Sequence, residues 1–177
     1  MNYKLLWWEL GGTIFIFLLG SFIHFGYEIT NKINIFTAIF AVNESIWEHT
    51  KLTFWAPIFY GLIEYFFIGK FYPNFFVAKF TSAIITSISM IILYYAYIGI
   101  THTHSLTADL IIYEISIIIG LIISYSIIIS NPLPTFFNTL ALILLFLFII
   151  IFYLFSYCPP KLPLFKCSVS GNYGIGK

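Results

Sequence analysis

The chain has 177 residues, of which 60% are hydrophobic, 21% aromatic and only 8% charged. Eight lysines, seven carboxylates and no arginine leave a formal net charge of +1. Soluble domains carry roughly 25% charged residues, so this chain lacks the polar groups to cover a water-facing surface. That excludes a soluble enzyme, a disordered chain and a disulfide scaffold. With no basic patch, it also excludes a nucleic-acid-binding protein. The class left is a multi-pass integral protein of the cell membrane, surrounded by the lipid bilayer.

A spanning helix needs about 20 apolar residues, and the chain has room for five. The first runs over 7–29. Its apolar centre, 14–19, is followed by no small-x-small cleavage pattern, so it reads as a retained helix rather than a signal peptide. Trp7 and Trp8 stand where an interfacial aromatic belt belongs. The connector 30–43 contains an apolar stretch, 33–42, too short to cross, which must lie in the interface or re-enter the protein. Non-helical backbone at that depth has to be buried in protein or line a cavity.

The second span is 45–69, followed by a turn over 69–74. The third is 77–98, followed by the polar loop Thr101-His102-Thr103-His104-Ser105. The fourth is 107–129. Pro132 and Pro134 break the chain before the fifth, 135–155, since proline cannot continue a helix. The tail 157–177 carries Pro159, Pro160, Gly171, Gly174 and Gly176 and reads as irregular. Its two cysteines, Cys158 and Cys167, can bridge on an oxidising side or remain free thiols. The expected fold is all-α: one polytopic transmembrane helix bundle over 1–177, of about five spans plus a short interfacial or re-entrant segment. A homo-oligomer would suit so small a bundle.

Five spans put the termini on opposite sides, A for the N-terminus and B for the other. Side A receives Lys4, Lys70 and Lys79, and side B the remaining five lysines. That bias is too small to orient the bundle. The ionisable residues are more informative, because most fall at side B. His24 and Glu28 end the first span there. Glu44, Glu48, His49 and Lys51 open the second. His102, His104 and Asp109 lie around the third connection. Glu64 and Glu114 sit deeper within spans, where ionisable groups usually face a bundle interior or a wet cavity.

Asn43-Glu44-Ser45-Ile46-Trp47-Glu48-His49-Thr50-Lys51 is the densest polar stretch. Ser45 and Glu48 have the spacing of a capping box, and acids suit a first helical turn, which explains part of the motif without a ligand. The competing reading is a metal site. A histidine and a carboxylate on one helix, facing a second such set on a neighbour, build bundle-core metal centres. On that reading His24, Glu28, Glu48 and His49 hold a divalent metal such as zinc, and Glu44 or Asp109 serves as acid or base.

The chain resembles an uncharacterised family of small prokaryotic integral membrane proteins, known only as a domain of unknown function. The resemblance rests on Trp8-Glu9-Leu10, His24-Phe25-x-Tyr27-Glu28, the long motif from Ala41 to Leu52, Glu64-Tyr65, Pro73-Asn74-Phe75, Pro159 to Phe165, and Gly171-x-Tyr173-Gly174. Asp109 also looks like a family position, whereas His102 and His104 depart from a Gly-rich loop and Cys167 stands where the pattern suggests Asp. The resemblance implies a membrane topology and a candidate site, and no reaction.

Three functions follow from these residues. The first is a metal-dependent membrane hydrolase acting on a lipid or other amphiphile. The second is a protein that binds or transports an ion or small polar ligand, with Glu64 and Glu114 extending the path toward side A. The third is a structural subunit of a membrane complex, in which the motif fixes helix register.

Overall fold

A computed structural model describes residues 2–175. Five long helices dominate it: α1 (Tyr3–Ile29), α2 (Ile46–Phe67), α3 (Phe75–Thr101), α4 (Leu106–Ile128) and α5 (Thr135–Tyr157). Single 3-10 turns occupy Asn34–Phe36, Gly69–Phe71 and Pro163–Phe165. The only extended pairing among the described residues is one antiparallel bridge between Lys166 and Tyr173.

Contacts along the helices show that they run alternately up and down. Near side A, Tyr60 of α2 bonds the Trp8 carbonyl of α1. Near side B, His49 of α2 meets His24 of α1. Tyr113 of α4 bonds the Ile16 carbonyl of α1 at 3.1 Å, closing α1–α4 into a bundle. Gly20 permits that contact, because a Cβ there would stand 1.8 Å from the Tyr113 hydroxyl. The fifth helix packs outside, through Phe148 and Phe152 against Phe54 of α2.

Among the described residues four helices are long and apolar enough to cross a membrane: α1, α3, α4 and α5. Their outward faces stay apolar, as a bilayer demands and water penalises: Ile14, Leu18 and Phe22 on α1 and Phe146 and Ile150 on α5 are all exposed. The exception is α2. Thirteen of its 22 residues are buried, against three of 23 in α5, and the thirteen include Glu48, Lys51 and Glu64. A helix surrounded by others has no lipid to satisfy, so it can carry charges that would be costly on an outer helix.

The connector between α1 and α2 folds back into the protein. Thr37, Ala38 and Ala41 are buried. Its backbone is satisfied by side chains from α2: Trp55 Nε1 donates to the Ala38 carbonyl at 2.8 Å, and Lys51 Nζ to the Thr37 carbonyl at 2.6 Å. Phe40 lies against Gly26, where any Cβ would come within 2.4 Å of the ring. Both cysteines are free thiols, Cys158 exposed and Cys167 buried.

Candidate metal centre

The corner that enters α2 is clamped from two sides. Ser45 is the N-cap, its Oγ accepting from Glu48 N–H at 3.3 Å. The reciprocal half of the capping box is absent: Ser45 N–H donates to Asn43 Oδ1 instead. From below, the C-terminal tail holds the same corner. Ser168 donates to the Glu44 carbonyl from both its backbone N–H (3.1 Å) and its Oγ (2.9 Å). Asn43 Nδ2 donates to the Gly174 carbonyl at 2.9 Å. The Glu44 backbone is thereby fixed while its carboxylate reaches across to α1.

There it meets two histidines. Glu44 Oε2 lies 3.4 Å from His24 Nε2 and 3.3 Å from His49 Nε2. The two Nε2 atoms are 3.1 Å apart, with the rings stacked at 5.1 Å between centroids. Three ligand-type atoms thus form a nearly equilateral triangle. A tetrahedral zinc with ligands at about 2.0–2.1 Å places its ligand atoms about 3.3–3.4 Å apart. The triangle fits one face of such a tetrahedron, and all three side chains are partly exposed, as an open fourth position requires.

The His49 tautomer strengthens that fit, whereas His24 Nδ1 is buried with no hydrogen-bond partner among the described residues. His49 Nδ1 lies 2.9 Å from the Ser45 carbonyl, which can only accept, so Nδ1 carries a proton. In the neutral ring Nε2 is then a bare lone pair aimed at a carboxylate and at a second imidazole. Metal-bound histidines are oriented by this same second bond to a carbonyl. Without a metal, only a proton on an Nε2 atom can bridge that ring to the Glu44 oxygen. Hydrogen bonds from His24 and then His49 hold the Glu44 carboxyl well below the usual carboxylate range, so Glu44 is an anion at neutral pH.

Of the residues singled out in the sequence as ligands, His24 and His49 come together here, and the carboxylate that joins them is Glu44. Glu28 is exposed and pairs with Lys32 at 3.4 Å. Glu48 is fully buried and faces the other way: it forms an ion pair with Lys51 and accepts from Val42 N–H at 2.9 Å. Lys51 in turn donates to the Thr37 carbonyl and to Ser156 Oγ at 2.7 Å. This network ties α2, the connector and α5 together within one helical turn of His49. Asp109 binds His104 Nε2 at 2.8 Å through Oδ2, and its Oδ1 is buried without a partner among the described residues. His102 ends α3 in the left-handed conformation, φ 53°.

Near side A a second polar cluster appears. Lys79 of α3 pairs with Glu9 of α1 at 2.9 Å and with Glu64 of α2. Ser124 of α4 donates to the same Glu9 oxygen at 2.8 Å. Sequence reasoning picked out Glu64 but counted Lys79 only as a basic flank. The available signal was that Glu9, Glu64 and Lys79 each sit one or two turns inside a helix at the same face. Glu114 is half-buried and forms no ion pair among the described residues.

The fold and these clusters define an all-helical membrane protein with polar centres in an apolar bundle. The chain belongs to a family of unknown function, DUF6512, whose model matches residues 1–175. No curated protein and no solved structure matches it.

Proposed function

We propose that this protein binds a divalent metal, zinc by preference, through His24, Glu44 and His49 at one face of the cell membrane, and uses it to hydrolyse a lipid or other amphiphilic substrate. The triangle of Nε2, Nε2 and carboxylate oxygen carries the reading, because its edges of 3.1–3.4 Å match tetrahedral ligation. Two histidines and one glutamate are also a donor set of catalytic zinc sites, which keep one position open. Bound there, zinc would supply a Lewis acid and a water activated near neutral pH.

The protein's own contribution is positional. The Ser45 carbonyl fixes the His49 tautomer, the tail fixes Glu44, and the Lys51–Glu48 network holds the helix start in place. Glu44 becomes a ligand in this arrangement, so the general base comes from another carboxylate. Glu48 is closed off by Lys51 and Val42. Asp109, with an unpartnered oxygen, and Glu28, held only by an exposed lysine, remain.

The first test is metal content of the detergent-purified protein after zinc loading and removal of excess. About one zinc per chain, lost in Glu44→Gln and His49→Ala but retained in Glu28→Gln, supports the site. No retained metal in a folded wild type refutes it. Hydrolysis is tested separately, by release of fatty acid or headgroup from lipid vesicles with and without chelator.

A further inference from the structure

The side-A cluster does not belong to the metal centre. Along α2, Glu64 is fifteen residues from His49, about 22 Å at 1.5 Å per residue. Its charges do not balance. Glu9 is 3% exposed, Glu64 0% and Lys79 4%. Two carboxylates therefore share one ammonium where nothing screens them, leaving one surplus negative charge. Isolated buried charge is costly in an apolar interior, and more so at membrane depth.

The geometry shows where the compensation belongs. One oxygen of each carboxylate is engaged with Lys79: Glu9 Oε1, which also accepts from Ser124, and Glu64 Oε2. The other oxygens, Glu9 Oε2 and Glu64 Oε1, are buried with no hydrogen-bond partner among the described residues. Among the described residues the surroundings offer no second cation. Tyr60 on α2 spends its hydroxyl on the Trp8 carbonyl, and its ring faces Lys79 Nζ at 5.8 Å. Phe75 on α3 covers Nζ from 5.4 Å. Gly61 lies so close to the Lys79 stem that a Cβ would stand 3.0 Å from it. Lys4 is exposed on the outer side of α1.

One member of the cluster, Glu9, borders a surface groove. A groove between α1 and α4 is lined by Glu9, Leu10, Thr13, Leu121, Tyr125 and Ser126. It is apolar except for Glu9 and a few hydroxyls, and it leads toward the side-A ends of both helices.

We propose that Glu9 and Glu64, held on either side of Lys79, form a buried proton-binding site that exchanges through the groove between α1 and α4. A hydronium ion at the groove mouth gives its proton to a free carboxylate oxygen and leaves as water. The cluster then holds one carboxylic acid, one carboxylate and one ammonium and is neutral. Deprotonation restores the surplus charge and favours any rearrangement that wets the groove.

Infrared difference spectroscopy of the full chain in lipid vesicles tests this. The wild type should show one carbonyl band of a protonated carboxylic acid at neutral pH, shifting on exchange from H2O to D2O. Glu9→Gln and Glu64→Gln should each abolish it, because one carboxylate with Lys79 is already neutral. Glu114 sits in its span with no ion pair among the described residues and can give a carboxylic-acid band of its own, so all these spectra are read in a Glu114→Gln background. Lys79→Met should roughly double the band area, since two carboxyls then need protons. No band in the wild type, or a band that survives both glutamine variants, overturns the proposal. So does a wild type whose band is absent in sodium and appears only when sodium is removed, which marks a metal cation as the occupant. Should Lys79→Met fail to fold, the glutamine variants decide alone.

Discussion

His49 Nδ1 lies 2.9 Å from the carbonyl oxygen of Ser45, one helical turn before it. A backbone acceptor thus sets which nitrogen of the ring faces Glu44 and His24. The hydroxyl of Ser45 does a different task, capping α2 through Glu48 N–H. The two roles separate by mutation. Ser45→Ala keeps the carbonyl and removes the cap, so it should lower stability by about 1 kcal/mol and leave zinc binding intact. Thermal unfolding with and without zinc checks both halves.

Glu44 and Glu48 are four residues apart and should respond oppositely. Glu44→Gln removes a ligand, so zinc affinity should fall by more than the roughly 10- to 100-fold that outer-shell changes cost, with little loss of stability in the metal-free protein. Glu48 supports structure beneath the site, so Glu48→Gln should mainly lower the unfolding temperature. Competition against a chelator of known affinity, beside melting curves, distinguishes them.

Lys51 is 0% exposed and pairs with Glu48, also buried. Breaking a buried pair by removing one partner costs about 3–5 kcal/mol, because the remaining charge is uncompensated. Lys51→Met should therefore destabilise severely and free the connector, whose Thr37 and Phe40 carbonyls Lys51 holds. Adding Glu48→Gln should restore part of the loss. Proteolysis within 30–43 reports the freed connector.

Gly174 has φ +66°, and a Cβ there would stand 2.7 Å from the Ser156 carbonyl oxygen. Gly174→Ala should undock the tail, which Ile175 N–H anchors to that carbonyl at 2.8 Å. Because the tail clamps Asn43 and Glu44, zinc affinity should fall although no ligand has changed. Labelling of buried Cys167 by a maleimide should speed up in the variant.

Acid should release the metal, and the sign follows from the groups involved. Glu44 has its folded value depressed by His24 and His49. Its contribution is present above the unfolded carboxylate value and lost only as pH falls through the lower folded one. It remains a competent anion through neutral and mildly acidic pH. The imidazoles, in contrast, must shed protons to ligate. Zinc affinity should fall as pH drops, because protons compete with the metal for the imidazole nitrogens, and a pH series followed by metal release reads this directly.

The helical class and the membrane setting were legible from composition and hydrophobic runs, because a bilayer constrains both directly. The polar corner was legible too, since Asn43 to Lys51 concentrates charge at one helix start. What the sequence hid was direction. Helical spacing places Glu48 near His49, yet Glu48 turns inward because Lys51 and the connector carbonyls compete for it. Glu44 precedes the helix, where spacing rules do not apply, and the tail that orients it arrives from 124 residues away. The central place of α2 was likewise hidden, since its span reads much like the others until packing shows which helix avoids lipid. Lys79 escaped because a lysine near a helix end ordinarily reaches out to the interface, whereas here two carboxylates draw it inward.

The measurement closest to the central claim is X-ray absorption at the zinc edge on the loaded, detergent-purified protein. The account predicts a first shell of nitrogen and oxygen at about 2.0–2.2 Å with two imidazoles in the outer scattering, and no zinc retained by His24→Ala. A shell containing sulfur at about 2.3 Å, or one unchanged by His24→Ala, would contradict it.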